Sequence, residues 1–326
     1  MDISLSDRTA TTERKRVVEK ISVIVPITER HDDLFDMYRE YKSALSSLHT
    51  PYEMIVVVDG PFVKAYRELK TLKSEGENLT IIKQARTFGE STAIMAGFRK
   101  STGNVILLVP SYHQVDIAEL PKILEGLDGS DMVVVRRWPR SDSRLNQIQT
   151  NLFQRIVHFM AGDVVSDIGC GVRLFRREIL EEINLYGDLH RFLPILAYRQ
   201  GFKVREVDIR QSPKEKRLRT YPMGIYLRRL IDLLTVFFLI KFTKKPLRFF
   251  GLTGTAVLVT GLAITGYLVT GRLFFEKGLS DRPLFLIGIL FVVLGLQIFA
   301  IGLIGEIIIF THAREIKEYT VEEIIN

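Results

Sequence analysis

Short apolar runs alternate with longer stretches whose apolar positions recur at helical spacing, and two long uncharged runs close the chain. Residues 21–26 (ISVIVP) are β-branched, short and ended by proline, which predicts a buried strand. Over residues 32–48 the apolar positions Leu34, Met37, Tyr38, Tyr41, Leu45 and Leu48 follow a helical period. Further strands are predicted at 53–58, 79–83, 105–109 and 132–135, with helices at 62–75 and 91–100 between them. Strands alternating with helices of this length imply a mostly parallel, doubly wound α/β sheet. Ligands of such a sheet sit at the carboxyl ends of the strands, so the loop after 105–109, Pro110 to Asp116, is expected to face a reaction centre. After Trp138 the pattern changes. It predicts a long helix at 145–160, a glycine-bearing turn at 167–174 (DIGCGVRL) that runs into a strand or turn, helices at 177–183 and 190–200, and a strand at 203–209. A basic loop follows at 210–219.

Residues 221–242 begin amphipathic, with Arg228, Arg229 and Asp232 among leucines, and then become nearly apolar, the pattern of a helix lying in a membrane interface. Residues 249–271 and 283–305 carry no charge at all. At 1.5 Å per residue each run reaches about 35 Å, enough for a hydrocarbon core of about 30 Å. The expected division is therefore a loose arm at 1–19, an α/β domain at 20–219, an interfacial helix at 220–245, a two-helix transmembrane hairpin at 246–314 and a tail at 315–326. Cations before the first run (Arg228, Arg229, Lys241, Lys244, Lys245, Arg248) outnumber those between the runs (Arg272, Lys277, Arg282), which places the α/β domain and both termini in the cytoplasm. The expected location is the plasma (inner) membrane.

Composition narrows the partners. Among 326 residues the net charge is +7, a balance suited to anionic lipid or phosphorylated substrates. No nucleic-acid-binding motif is present, so no nucleic acid is expected. The single cysteine, Cys170, rules out a disulfide framework within one chain and any zinc site built from cysteines; it reads as a packed small residue. Neither GxGxxG nor GxxxxGK[ST] occurs, which excludes the usual dinucleotide fingerprint and a P-loop. The polar start of the chain lacks the apolar core of a signal peptide.

Several motifs recur in a telling order: residues 21–26 (ISVIVP) as first strand, 57–60 (VVDG), 86–98 (RTFGESTAIMAGF), 167–174 (DIGCGVRL) and 302–306 (GLIGE). In this order, with a membrane hairpin behind them, they resemble the polyprenyl-phosphate glycosyltransferases of glycosyltransferase family 2, the dolichol-phosphate mannose synthase and undecaprenyl-phosphate sugar transferase type. The resemblance runs from about Ile21 to the end of the chain. It implies a GT-A-like fold and an inverting transfer of a sugar from a nucleotide sugar to polyprenyl phosphate. The donor would lie over Pro26, Thr28, Glu29, Asp59, Arg86, Gly89, Ser111 and Tyr112. Asp167, Arg173 and Gln114 would serve catalysis, and Arg136, Arg137, Lys216, Arg217 and Arg219 the acceptor phosphate. Attraction of the 210–219 cluster to anionic lipid headgroups is the other reading of those charges, and the two can coexist.

The chain departs from the family at the opening loop. Where the family has Asp-x-Asp followed by Leu-Gln, this chain has Pro110-Ser111-Tyr112-His113-Gln114. Magnesium and manganese ions want hard oxygen ligands, and only Gln114 and Asp116 remain to offer them. No required metal is predicted; a Mg²⁺ or Mn²⁺ site lacks its motif. The alternative reading is a non-catalytic membrane scaffold or regulator. A processive polysaccharide synthase is disfavoured by the two spans and by the missing Gln-x-x-Arg-Trp. Glycines at helical spacing in both spans (Gly251, Gly254, Gly261 and Gly266; Gly288, Gly295, Gly302 and Gly305) predict a tightly packed hairpin and self-association, and the resemblance suggests a tetramer.

Overall fold

A computed structural model describes residues 17–139, 165–215, 246–275 and 283–312. The described residues fall into two bodies, an α/β domain and a helical hairpin. The expected helix at 145–160, the interfacial helix at 220–245, Lys216, Arg217, Arg219 and the tail lie outside them.

The domain is built on one seven-stranded sheet in the order β3-β2-β1-β4-β6-β5-β7. At its centre β1 (Ile21–Ile27) pairs in parallel with β2 (Tyr52–Val58) and β4 (Val105–Leu108), and β3 (Leu79–Lys83) continues in parallel beyond β2. All seven residues of β1 are buried. That is why it reads as a continuous apolar run: a parallel strand covered on both faces has no solvent side. The other half is mixed. β6 (Arg173–Arg176) runs antiparallel between β4 and β5 (Met132–Arg137), and β7 (Val204–Ile209) returns parallel to β5. The sheet is thus mostly parallel, as expected, with the 173–176 stretch resolved as a strand. β5 runs two residues further than predicted, so Arg136 and Arg137 belong to the strand, opposite Asp208 and Ile209.

Helix α1 (Leu34–Ser47) starts where Asp33 accepts the backbone N–H groups of Phe35 and Asp36, and it buries Leu34, Met37, Tyr38, Tyr41 and Leu45. Helix α2 is Val63–Ser74 and α3 is Glu90–Lys100. Gly97 lets α3 settle onto the sheet, since a Cβ there would come within 2.7 Å of Ile24 Cγ2. A six-residue α4 (Leu120–Glu125) was not anticipated, being too short to show a period. It is followed by α5 (Glu178–Glu182) and α6 (Leu193–Arg199). The predicted 190–200 helix begins as a 3-10 turn over Leu189–Phe192, and the α-helix proper starts with Pro194 in its first turn.

In the hairpin, α7 (Pro246–Phe275) and α8 (Pro283–His312) are long and apolar enough to cross a membrane. Only 17% and 11% of their apolar windows are buried, whereas the core helices of a soluble fold would be mostly covered. The two helices touch backbone to backbone. A Cβ on Gly261 would lie 2.6 Å from Val292 N and 2.8 Å from Gly288 O, and one on Gly254 2.6 Å from Phe299 N. Gly295 meets Leu258, and Gly302 meets Phe250. Gly266, by contrast, meets nothing within 4 Å. Glu306 of α8 accepts the N–H of Leu247 in the first turn of α7 at 3.3 Å.

Candidate active site

The carboxyl ends of β1, β2 and β4 open on one edge of the sheet, and most of the predicted donor residues collect there. Pro26 is buried within β1; Thr28 and Glu29 follow it, half-buried and exposed. Asp59, just beyond β2, is fully buried. Its two carboxylate oxygens accept the backbone N–H groups of Phe88 at 2.7 Å and Gly89 at 2.8 Å. A carboxylate at the start of α3 also meets the positive end of that helix. Gly89 has φ 97° and Gly60 φ 108°, left-handed conformations that favour glycine, so the whole turn depends on these residue types. Asp59 therefore acts on the 86–89 loop from beneath. Arg86 is exposed on that loop, with its guanidinium 5.0 Å from the Phe88 ring centroid.

The loop after β4 is stitched to the loop after β1. Ser111 Oγ donates to the Arg30 carbonyl at 2.6 Å, and the N–H of Asp32 donates to the Ser111 carbonyl at 2.9 Å. The Arg30 guanidinium lies 3.7 Å from the centroid of the Tyr112 ring. Tyr112 is held in turn: its hydroxyl accepts the Gln114 side-chain amide at 2.8 Å, and Gln114 Oε1 accepts the N–H of Gly171 at 2.7 Å. Asp116 caps the following turn by accepting the N–H of Ala118 at 3.1 Å. These residues do not fit the divalent ion that the family's Asp-x-Asp would hold. Pro110 has no side-chain donor atom, Tyr112 presents a ring under a cation, Gln114 is engaged at both ends, and Asp116 faces its own turn.

His113 is buried one residue further on. Its ring nitrogens lie 3.0 Å from Asp32 and 3.0 Å from Glu40, and its N–H donates to Asp32. Lys214 completes the group, pairing with Asp36 at 2.7 Å and with Glu40, and both partners hold its ammonium well above the ordinary lysine range. Asp36, Glu40 and His113 stand close enough to share one ion, but the ammonium of Lys214 already supplies a cation to both carboxylates. Segment 210–215 is tied to the same loop through the backbone: Asp116 N–H to Arg210 O at 2.9 Å, Ser212 N–H to Gln114 O at 3.1 Å, and a bridge between Val115 and Gln211.

The predicted arginines have partners within the domain. Arg136 forms a fork on Asp208 at 2.5 and 2.7 Å. Arg137 is buried; its Nε and Nη2 reach the two oxygens of Asp167 at 2.9 and 3.1 Å, and its Nη1 reaches Glu215 at 3.3 Å. Burial works against the charge of Arg137, but Asp167 and then Glu215 outweigh it and hold the guanidinium above its ordinary range. Asp167 is itself placed by Glu206, which accepts its N–H at 3.1 Å. Arg173, on β6, donates to the carbonyls of His190 and Arg191, and burial pulls it down to about 10. Cys170 is fully buried and its thiol is pushed up to about 12 by that burial, as suits a packed small residue. At the start of α3, Glu90 pairs with His190 at 3.1 Å and Ser91 Oγ lies 3.2 Å from His190 Nδ1. Burial raises the Glu90 carboxyl, but His190 more than offsets it and leaves it below the usual range.

The structure thus brings Pro26, Thr28, Glu29, Ser111 and Tyr112 to one strand-end edge and joins Asp167 to Arg137. Sequence reasoning gave no role to Arg30, Asp32, Glu40 or Glu90, and counted Lys214 only within the basic loop at 210–219. The available signal for Arg30 was a cation in the loop just past the end of the first strand.

A doubly wound sheet whose strand-end crevice carries these motifs, in a chain with a membrane-length hairpin, is the arrangement of a sugar transferase. The chain belongs to glycosyl transferase family 2, whose description matches residues 22–184. It is similar to the undecaprenyl-phosphate 4-deoxy-4-formamido-L-arabinose transferase of Klebsiella pneumoniae (strain 342), with 28% identity over 313 residues and 94% of each chain covered. Among solved structures it is similar in fold to glucosyl-3-phosphoglycerate synthase from Mycobacterium tuberculosis. The complex with Mg²⁺ and uridine diphosphate gives a TM-score of 0.50 at 14% identity, covering 67% of this chain and 79% of that one. The complex with Mn²⁺, UDP-glucose and phosphoglyceric acid gives 0.50 at 16%, with the same coverage.

Proposed function

We infer that the protein is a membrane-bound enzyme that transfers a sugar, with inversion, from a nucleoside diphosphate sugar to polyprenyl phosphate. The observation that carries this reading is the extent of the Klebsiella match. It covers 94% of each chain, well past the family region at 22–184 and into the membrane hairpin. The chemistry suits the residues. The acceptor phosphate has a second pKa of about 6 and is already anionic near neutrality, so no strong general base is needed. One acceptor oxygen forms the new bond to the anomeric carbon. The bond from that carbon to the donor diphosphate breaks, and nucleoside diphosphate leaves with the electron pair. Two anionic groups must be held together, which calls for fixed cations.

In this reading the donor lies over Pro26, Thr28, Glu29, Ser111 and Tyr112, with Arg86 and the loop held by Asp59 alongside. Lys216, Arg217 and Arg219 take the acceptor phosphate, aided by Arg136 and Arg137. Asp167 and Gln114 act as positioning residues, Asp167 through Arg137 and Gln114 through Tyr112. Arg173 sets the 190–191 backbone beside Glu90. The domain and both termini lie on the cytoplasmic face of the inner membrane, anionic lipids meet the basic run, and copies of the chain associate through the hairpin. The test is to incubate membranes containing the protein with labelled UDP-, GDP- and dTDP-sugars. A lipid-extractable product that releases its sugar in mild acid is the expected result. No such product from any donor would overturn the reading and leave a fold retained as a scaffold.

A further inference from the structure

Two short stretches flank the backbone pairing of 114–116 with 210–212. Residues 111–113 precede it on the donor side. Lys214 and Glu215 follow it, and Glu215 reaches Arg137, an acceptor cation of the reading above, at 3.3 Å. The pairing sets the register between the two segments. It does not by itself hold either of these ends.

Glu40, on α1, takes both ends. Its Oε2 lies 3.0 Å from His113 Nε2, and its Oε1 accepts the Lys214 ammonium. Each arm thus has a carboxylate oxygen of its own. Each is also steadied by a second carboxylate: His113 Nδ1 lies 3.0 Å from Asp32, and Lys214 pairs with Asp36 at 2.7 Å. His113 is buried between Tyr112 and Gln114 in the chain, whose side chains bond each other at 2.8 Å. Beyond Lys214, Glu215 accepts both Arg137 and Gln211, and Arg137 forks on Asp167. A continuous run of polar and charged contacts therefore joins the loop after β4 to Arg137, and α1 supplies its middle. Helix α1 carries none of the motifs by which the chain resembles its family.

A ligand that fixes one arm fixes Glu40, so the other arm loses less freedom when its own ligand arrives. Such coupling is reciprocal, each ligand tightening the other by the same factor. Resting on the transferase reading above, we propose that Glu40 is the positioning residue through which the nucleotide donor and the acceptor phosphate reinforce each other's binding, by way of His113 on one side and Lys214 on the other.

The experiment measures binding of UDP, GDP and dTDP to the full-length protein in detergent, each with and without saturating farnesyl phosphate, a short polyprenyl phosphate. The best-bound nucleotide is expected to bind at least about fivefold more tightly when the lipid phosphate is present. Titrating farnesyl phosphate with and without that nucleotide gives the same factor. Glu40→Gln is expected to bring the factor to about one. His113→Asn and Lys214→Met each cut one arm and also bring it to about one, and the two together lose no more than either alone. Glu53→Gln alters a carboxylate near the start of β2 that bonds Ser22 and Thr102. It weakens the fold without touching either arm, and keeps the full factor. An unchanged factor in Glu40→Gln, whatever its stability or its affinity for either ligand alone, overturns the inference. Where Glu40→Gln does not fold, an unchanged factor in either single-arm variant does the same. A factor of about one in the wild type, with both ligands bound, overturns the inference and leaves the transferase reading standing. Failure of every nucleotide, or of farnesyl phosphate, to bind the wild type with or without Mg²⁺ overturns the transferase reading and this inference with it.

Discussion

Glu53 shows how much one half-buried carboxylate does at the far end of the sheet from the site. Burial raises its pKa, yet the Ser22 hydroxyl at 2.6 Å and the backbone N–H of Thr102 at 2.7 Å, with the Thr102 hydroxyl and Lys20, bring it from 4.5 down to about 2. A carboxylate with a depressed folded pKa stabilises the protein fully above its unfolded value. That stability is lost as the pH falls toward the folded value. The contribution is therefore whole above about pH 4.5 and disappears toward about pH 2. Glu53→Gln is expected to melt at a lower temperature near neutrality and to show a shallower fall of melting temperature on acidification. An unchanged pH profile in a thermal scan of the detergent-solubilised protein would remove Glu53 from this role.

At the level of elements, Asp59 joins the exit of β2 to the entry of α3. Removing its carboxylate leaves two backbone N–H groups in a half-buried turn without their acceptor. Hydrogen bonds to a charged group contribute about 1.5–3 kcal/mol each, so Asp59→Ala, which removes two of them, should destabilise by about 3–6 kcal/mol and loosen the 86–89 loop. Faster hydrogen exchange at Phe88 and Gly89 is the measurement; unchanged protection there would contradict the assignment. The elements themselves were largely legible. β1 and β4 announce themselves because a strand covered on both faces is apolar along nearly its whole length. β6 was ambiguous because its four residues, RLFR, put charges on both sides of two apolar ones, and α4 was too short for any period. The site was legible only in part. Pro26, Ser111 and Tyr112 are placed by chain position, at strand ends. The partners that define the site are distant in sequence: Lys214 meets Asp36 across 178 positions, and Arg30 meets Tyr112 from another loop. Nothing local marks such pairs.

For the whole molecule, the hairpin separates its glycines into two classes. Gly254, Gly261 and Gly295 lie where the other helix's backbone would strike a side chain, and Gly266 lies where nothing would. Gly261→Leu is expected to force the helices apart, at the cost of at least about 1–3 kcal/mol typical of overpacking, and to lower the melting temperature in detergent. Gly266→Leu is expected to melt like the wild type. Equal behaviour of the two variants would contradict the close helix contact. If self-association uses the outward face, light scattering of Gly266→Leu should show a smaller particle than the wild type.

The pairing of residues 114–116 with 210–212 has a consequence for anyone exchanging parts between relatives. Two backbone hydrogen bonds and a bridge hold these segments in a single register, and the Lys214 pairs lock the end of it to α1. A residue inserted into either segment would slip one strand past the other and turn alternate side chains over. A 110–116 loop transplanted from a relative would therefore have to travel with its own version of segment 210–215, because the two behave as one cassette.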